Sequence, residues 1–163
     1  MGRFYTVTTG PVACIDVQDL IELKAGTATP FVVHLISVTQ LLDVGDAEAE
    51  NLLIKIKKAG STYTSGSGGG SLSVAKSLNG DAADSFAGEE ANNTTQAVIN
   101  TGYLNTIWQE DFNAQAGWQW FPPPEWQKSH GFFNVSEALI LSLETTPADS
   151  LTITATALVE ELG

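Results

Sequence analysis

The sequence predicts an all-β fold: an antiparallel β-sandwich, for which a jelly roll is the common form at this size and a closed barrel the alternative. Three observations carry that expectation. Apolar and polar residues alternate with period two along most of the chain, the alternating runs are bounded by Gly, Pro, Asp or Asn, and helical spacing is almost absent between them.

The first run is residues 4–9, FYTVTT, followed by 20–24, LIELK, by 31–42, FVVHLISVTQLL, and by 52–57, LLIKIK. Each is rich in β-branched or aromatic residues, which suit a pleated, half-buried surface. The stretch 64–71, TSGSGGGS, interrupts the pattern and predicts a flexible Gly/Ser loop or hairpin over about residues 61–71. Residues 81–91, DAADSFAGEEA, have early acids and small side chains, and predict a single helical turn or one short helix that Gly88 weakens. Strand character returns in 107–113, IWQEDFN, in 117–121, GWQWF, and in 138–143, ALILSL. The clearest strand is 151–159, where Leu151, Ile153, Ala155, Ala157 and Val159 share one face and Thr152, Thr154 and Thr156 the other. About seven to nine strands are expected.

A chain of 163 residues is ample for one core and short for two, so residues 1–163 are predicted to form a single domain. The hydrophobic share of 43% is that of a globular protein, whereas 16% charged residues is low for a soluble surface. Its exterior is therefore expected to be largely Ser, Thr, Asn, Gln and Gly. The net charge of −12 would repel phosphates, which argues against nucleic acid as a partner. Residues 1–7 lack the apolar run of a signal peptide, and no segment approaches the roughly 20 apolar residues of a membrane span. The expectation is synthesis in the cytoplasm without a membrane partner.

Candidate chemistry is sparse. Cys14 is the single cysteine and is expected to be a buried, inert thiol. The sequons at Asn92, Asn93 and Asn134 read as plain polar loop residues in the absence of a secretion signal. The Gly-rich stretch lacks the following helix and the lysine of a phosphate cradle. Carboxylates between Asp43 and Glu50 offer oxygen ligands of the kind calcium takes, but their spacing fits no helix-loop-helix calcium motif, and a solvated turn is favoured. Glu110 and Asp111, with Glu125 as a distant third, invite comparison with glycosidase carboxylates, yet neighbours on a strand point to opposite faces. His34 alternates within an apolar strand and reads as a hydrogen-bonded core or interface residue, and His130 lies in a predicted loop. Neither has a Ser–Asp set beside it. The chain is read as non-enzymatic, with no cofactor and no metal.

What stands out instead is aromatic density. All four tryptophans and three of the six prolines lie between Trp108 and Trp126. Rigid aromatic side chains lose little entropy on contact, which makes Trp a preferred hot-spot residue in interfaces. Trp108, Trp118, Trp120, Phe121, Pro123 and Trp126 are accordingly the candidate protein interface. Trp118 and Trp120 share a face opposite Gln119 and Phe121, so one face is expected to be core and the other contact. A Trp-lined groove beside carboxylates also suits sugars, which makes a carbohydrate-binding module the alternative and a glycosidase the last choice.

Residues 18–23 (QDLIEL), 43–46 (DVGD), the Gly/Ser loop, 92–95 (NNTT), 112–118 (FNAQAGW), 124–125 (PE) and 147–152 (PADSLT) together resemble a family of small proteins encoded by tailed bacteriophages and prophages. The resemblance spans nearly the whole chain and rests on loops and turns, not on catalytic signatures. It implies a virion structural protein similar to the jelly-roll capsid cement or decoration proteins, which assemble as homotrimers. The implied partners are further copies of itself and the major capsid protein or other virion proteins. The implied location is the capsid surface, with a tail-associated component as the variant reading.

Overall fold

The computed structural model describes residues 2–41, 50–99 and 105–163. The acidic loop between Asp43 and Glu50, with its weighed calcium site, lies outside the described residues except for Glu50 itself. Fourteen strands are present among the described residues: β1 (Arg3–Cys14), β2 (Gln18–Lys24), β3 (Phe31–Gln40), β4 (Asn51–Ala59), β5 (Tyr63–Thr64), β6 (Gly70–Ser71) and β7 (Ser73–Lys76), then β8 (Gly88–Asn93), β9 (Val98–Ile99), β10 (Asn105–Asn113), β11 (Trp118–Trp120), β12 (Phe132–Phe133), β13 (Ala138–Leu143) and β14 (Leu151–Glu161).

Two antiparallel sheets pack face to face. The first has the order β11-β3-β14-β1-β7 with β12 beside β3, and the second has the order β10-β4-β13-β2-β8-β6. Numbering the long strands in chain order as eight, the first sheet reads 1-8-3-6 and the second 2-7-4-5. That is the double Greek-key wrapping of a jelly roll, so the predicted sandwich is the observed one. Six further short strands extend the sheets or pair in the connections, which explains why the strands outnumber the sequence expectation.

The alternation read from the sequence is what fills the core. Leu151, Ile153, Ala155, Ala157 and Val159 all point inward and are fully or almost fully buried, facing Leu52, Ile54 and Ile56 among others from the second sheet. Strands β2 and β13 break the alternation, being buried on both faces. The reason is a roof: Tyr63, Ala97 and Ile99 pack over Ala59, Ala138 and Ile140 on the outer side of the second sheet.

The short helix expected within residues 81–91 is absent. Residues 81–87 form an irregular strap and residues 88–93 form β8, paired with β2 through Glu22–Glu90 and Leu23–Glu89. Two anchors hold the strap extended. The Ser85 amide and hydroxyl both donate to Glu161, at 2.8 Å each, and the Phe86 ring packs edge-on against Tyr5 and Phe31. These tertiary contacts outweigh a weak helical propensity.

The Gly/Ser stretch is bonded to its surroundings. Ser67 and Thr95 exchange backbone hydrogen bonds, and the Gly66 amide donates to Glu22. A Cβ on Gly66 would sit 2.6 Å from the Thr95 carbonyl oxygen, so glycine here permits close backbone approach.

Candidate functional site

The aromatic corner is built by a crossing between sheets. Strand β10 is an edge of the second sheet and β11 an edge of the first, and residues 114–117 join them. Asn113 makes the turn possible: its side-chain oxygen accepts from the Gln115 and Ala116 amides, at 3.0 and 3.2 Å. Gly117 completes it with φ +73, a left-handed conformation that side chains resist, and a Cβ there would press on the Val38 carbonyl at 3.1 Å.

Trp108, Glu110 and Phe112 register with Ile56, Ile54 and Leu52, so they lie on the inward side of β10. Trp118 and Trp120 register with Val38 and Ile36, on the inward side of β3. Both are buried, at 7% and 4% exposure, and belong to the main core. This corrects the expectation that they contact a partner: the face that Trp118 and Trp120 share is the one turned toward the opposite sheet. Glu110 ties the two edges together, because one carboxylate oxygen accepts from the Trp108 indole at 3.2 Å and from the Trp118 indole at 3.0 Å.

The remaining candidates form the exposed part of the corner. Phe121 is 59% and Trp126 42% exposed, Trp108 is half-buried, Pro122 is buried and Pro123 is partly so. Trp126 lies 6.3 Å from the Trp108 ring and 5.1 Å from the His130 ring. The expected polyproline segment gives way after Pro123 to tight turns, in which the Trp126 and Gln127 amides donate to the Pro123 carbonyl and those of Ser129, His130 and Gly131 to the Trp126 carbonyl. The exposed rings therefore sit on a backbone that is fixed before any partner arrives.

The carboxylates near this corner do not form a facing pair. Asp111 registers with Leu53 and projects from the face of β10 opposite to Glu110, and Glu125 is exposed on the turn. Among the described residues no group of three His, Cys, Asp or Glu side chains is arranged to hold a metal ion.

Three polar features escaped the sequence reading. The first is buried on the outer side of β2, where Glu22 accepts from the Tyr63 hydroxyl at 2.8 Å, the Ser65 hydroxyl at 2.5 Å, the Gly66 amide at 3.0 Å and the Asn93 side chain at 3.1 Å. Asn93 and Ser65 also reach Glu90. Nearby, Asp19 accepts from Ser142 and from the Ala97 amide, and burial pushes its carboxyl above the usual range despite those bonds. Together these bonds fasten the roof to the sheet.

The second is an acidic end of the sandwich. Burial, then a hydrogen bond and repulsion from Asp84 and the charge of Glu161, push the Glu89 carboxyl up to about 7. Glu161 is fully buried and paired with Arg3 at 2.9 Å. The third is His34, the extra residue of a β-bulge between β3 and β14. Its Nε2 lies 2.9 Å from Glu160 and its ring 5.4 Å from that of Phe4. A shallow groove of about 380 Å³ opens beside it, lined in part by Val32, Phe132, Lys128 and Leu162. Cys14 is buried, and its surroundings push the thiol up to about 12.

Compared with family models, with curated proteins and with solved structures, the chain matches none of them. The resemblance to tailed-phage virion proteins therefore has no match behind it.

Proposed function

We propose that this chain is a non-enzymatic virion structural protein of a tailed phage, a capsid cement or decoration protein that assembles with copies of itself and stabilises the shell. The observation that supports this reading is the exposed aromatic corner. Phe121 and Trp126 stand out from a turn stiffened by Pro122–Pro124 and by consecutive backbone hydrogen bonds, next to two sheet edges locked together through Glu110. Large rings held rigid at the surface contribute binding without a large ordering cost. The jelly-roll frame suits the role, since it places such a corner on a rigid support.

The partner in this reading is the major capsid protein, and the site of action is the capsid surface. The acidic chain would stay soluble and would repel neighbouring copies outside their proper seats. The test is sedimentation of the purified protein with tailed-phage particles produced from the genome that encodes it, followed by imaging of those particles. Co-sedimentation, with density on the head lattice, is expected. Protein that stays wholly in the supernatant would refute the proposal.

A carbohydrate-binding module is the second reading, favoured by one observation: the Trp126 ring is exposed between Trp108 and His130, a platform of the kind sugars stack on. A glycan array separates the two readings, since the structural role requires no sugar to bind.

A further inference from the structure

The outer faces of the two sheets differ in a way that the proposed function does not use. The second sheet is roofed by the chain itself through Tyr63, Ala97 and Ile99. Along most of the first sheet the outer face carries no such cover. Its cross-strand rows are short and neutral, one reading Ser37, Thr156 and Thr8 and the next Leu35, Leu158 and Thr6. The flanking row sets Thr39 beside Thr154, and at the edges Gln119, Ser73 and Ala75 face the same way.

Charge is the deciding feature. The chain carries nineteen Asp and Glu against seven Lys and Arg. Yet among the described outward positions of this sheet, the only carboxylate is Glu160, at one end and paired with His34 at 2.9 Å. A basic partner would be drawn to the acidic surfaces elsewhere on the molecule, not to this face. Two copies of a chain with a net charge of −12 repel each other, and close approach is least opposed where no carboxylate is desolvated or set against another.

Extent points the same way. Four gaps between five strands at about 4.8 Å, and eight residue rises along β14 at about 3.3 Å, give a face of roughly 500 Å² in projection. The accessible surface of a side-chain layer exceeds its projection, which brings the face near the roughly 800 Å² per partner of a standard interface.

From this we infer that a second copy of the same chain covers the open face of the first sheet, Leu158 of each copy packing near the centre. A flat face that meets itself makes an isologous contact, so the assembly has two-fold symmetry and an even number of chains. The inference deepens the self-assembly part of the proposed function and replaces the homotrimer implied by the sequence resemblance. It does not need the aromatic corner, which is left free for a different partner.

The test is sedimentation equilibrium of the full chain over a range of concentrations, at low salt and at about 0.5 M salt, where repulsion between copies is screened. A mass of two chains is expected, with tighter association at high salt. Leu158→Asp and Thr154→Asp each place two unpaired carboxylates in the two-fold contact and should weaken it by about a hundredfold or more. Thr27→Asp, on an exposed connection, should leave it unchanged. Circular dichroism identifies any variant that fails to fold, and Thr154, half-exposed on the outer face, keeps the test open should Leu158→Asp be that variant. A monomer at every concentration in high salt, a mass of three chains, or folded Asp variants that associate as the parent does would each overturn the inference. Binding to phage particles is read separately, so a chain that pairs but binds no particle sinks the proposed function and leaves this face standing.

Discussion

Replacing Trp118 by alanine separates a core role from a contact role at the position where sequence reasoning chose the wrong one. The ring is 93% shielded, lies against the main core and donates its indole N–H to Glu110 at 3.0 Å. Removing roughly 200 Å² of aromatic surface from the interior forfeits about 5 kcal/mol at 25 cal/mol per Å², an upper value because the unfolded chain is itself partly compact. Measured Trp-to-Ala costs in cores run at about 3–5 kcal/mol, and loss of the Glu110 bond acts in the same direction. At about 2–4 °C per kcal/mol for a chain of this size, the melting temperature should fall by roughly 10 °C. Trp126→Ala is the paired control: its ring is 42% exposed, so the melting temperature should move by only a few degrees. The assay is thermal or urea unfolding followed by circular dichroism. Equal small losses for Trp118→Ala and Trp126→Ala would refute the placement of Trp118 in the core.

Other positions test the rest of the structure. Glu89 has its carboxyl raised from 4.5 to about 7 in the folded state, so it contributes stability below about pH 4.5 that is lost as the pH rises through 7. The full shift would correspond to about 3 kcal/mol, but the group is largely solvated and screening reduces this to about 1 kcal/mol. Glu89→Gln should therefore be more stable than the parent at pH 8 and flatten the slope between pH 4.5 and 7 in urea titrations; an unchanged slope would contradict this. Glu22→Leu strands the donors of Tyr63, Ser65, Gly66 and Asn93 under the roof, and should cost about 3 kcal/mol with faster amide exchange at residues 63–67. Cys14, buried with its thiol raised to about 12, should resist a thiol reagent at pH 8 until the chain unfolds. Rapid labelling of the native protein would count against its placement.

The fold was legible because period-two alternation is local. Leu151 to Val159 names its own inward face, and each strong run became a strand within a few residues of its expected ends. The site was less legible because its geometry is set by partners far away in sequence. Spacing put Trp118 and Trp120 on one face, but only pairing with Val38 and Ile36 of β3 shows that this face turns inward. Glu22 looked like a polar interruption in an apolar strand, and its four donors come from residues 63–93. The run 64–71 was read from composition as freedom, whereas the approach of Gly66 to the Thr95 carbonyl is a contact that composition does not encode. In residues 81–91 the small acidic pattern favoured a turn of helix, and anchors at Glu161, Tyr5 and Phe31 decided otherwise.

The account rests most heavily on the division of the aromatic block into sealed rings and presented rings, with the presented ones meeting other protein. Oxidative footprinting of the chain, free and after addition to tailed-phage particles of the encoding genome, reads that division directly. Phe121 and Trp126 should be labelled in the free protein and protected on the particle, while Trp118 and Trp120 stay unlabelled in both. Equal labelling of Phe121 and Trp126 in the two samples would contradict it.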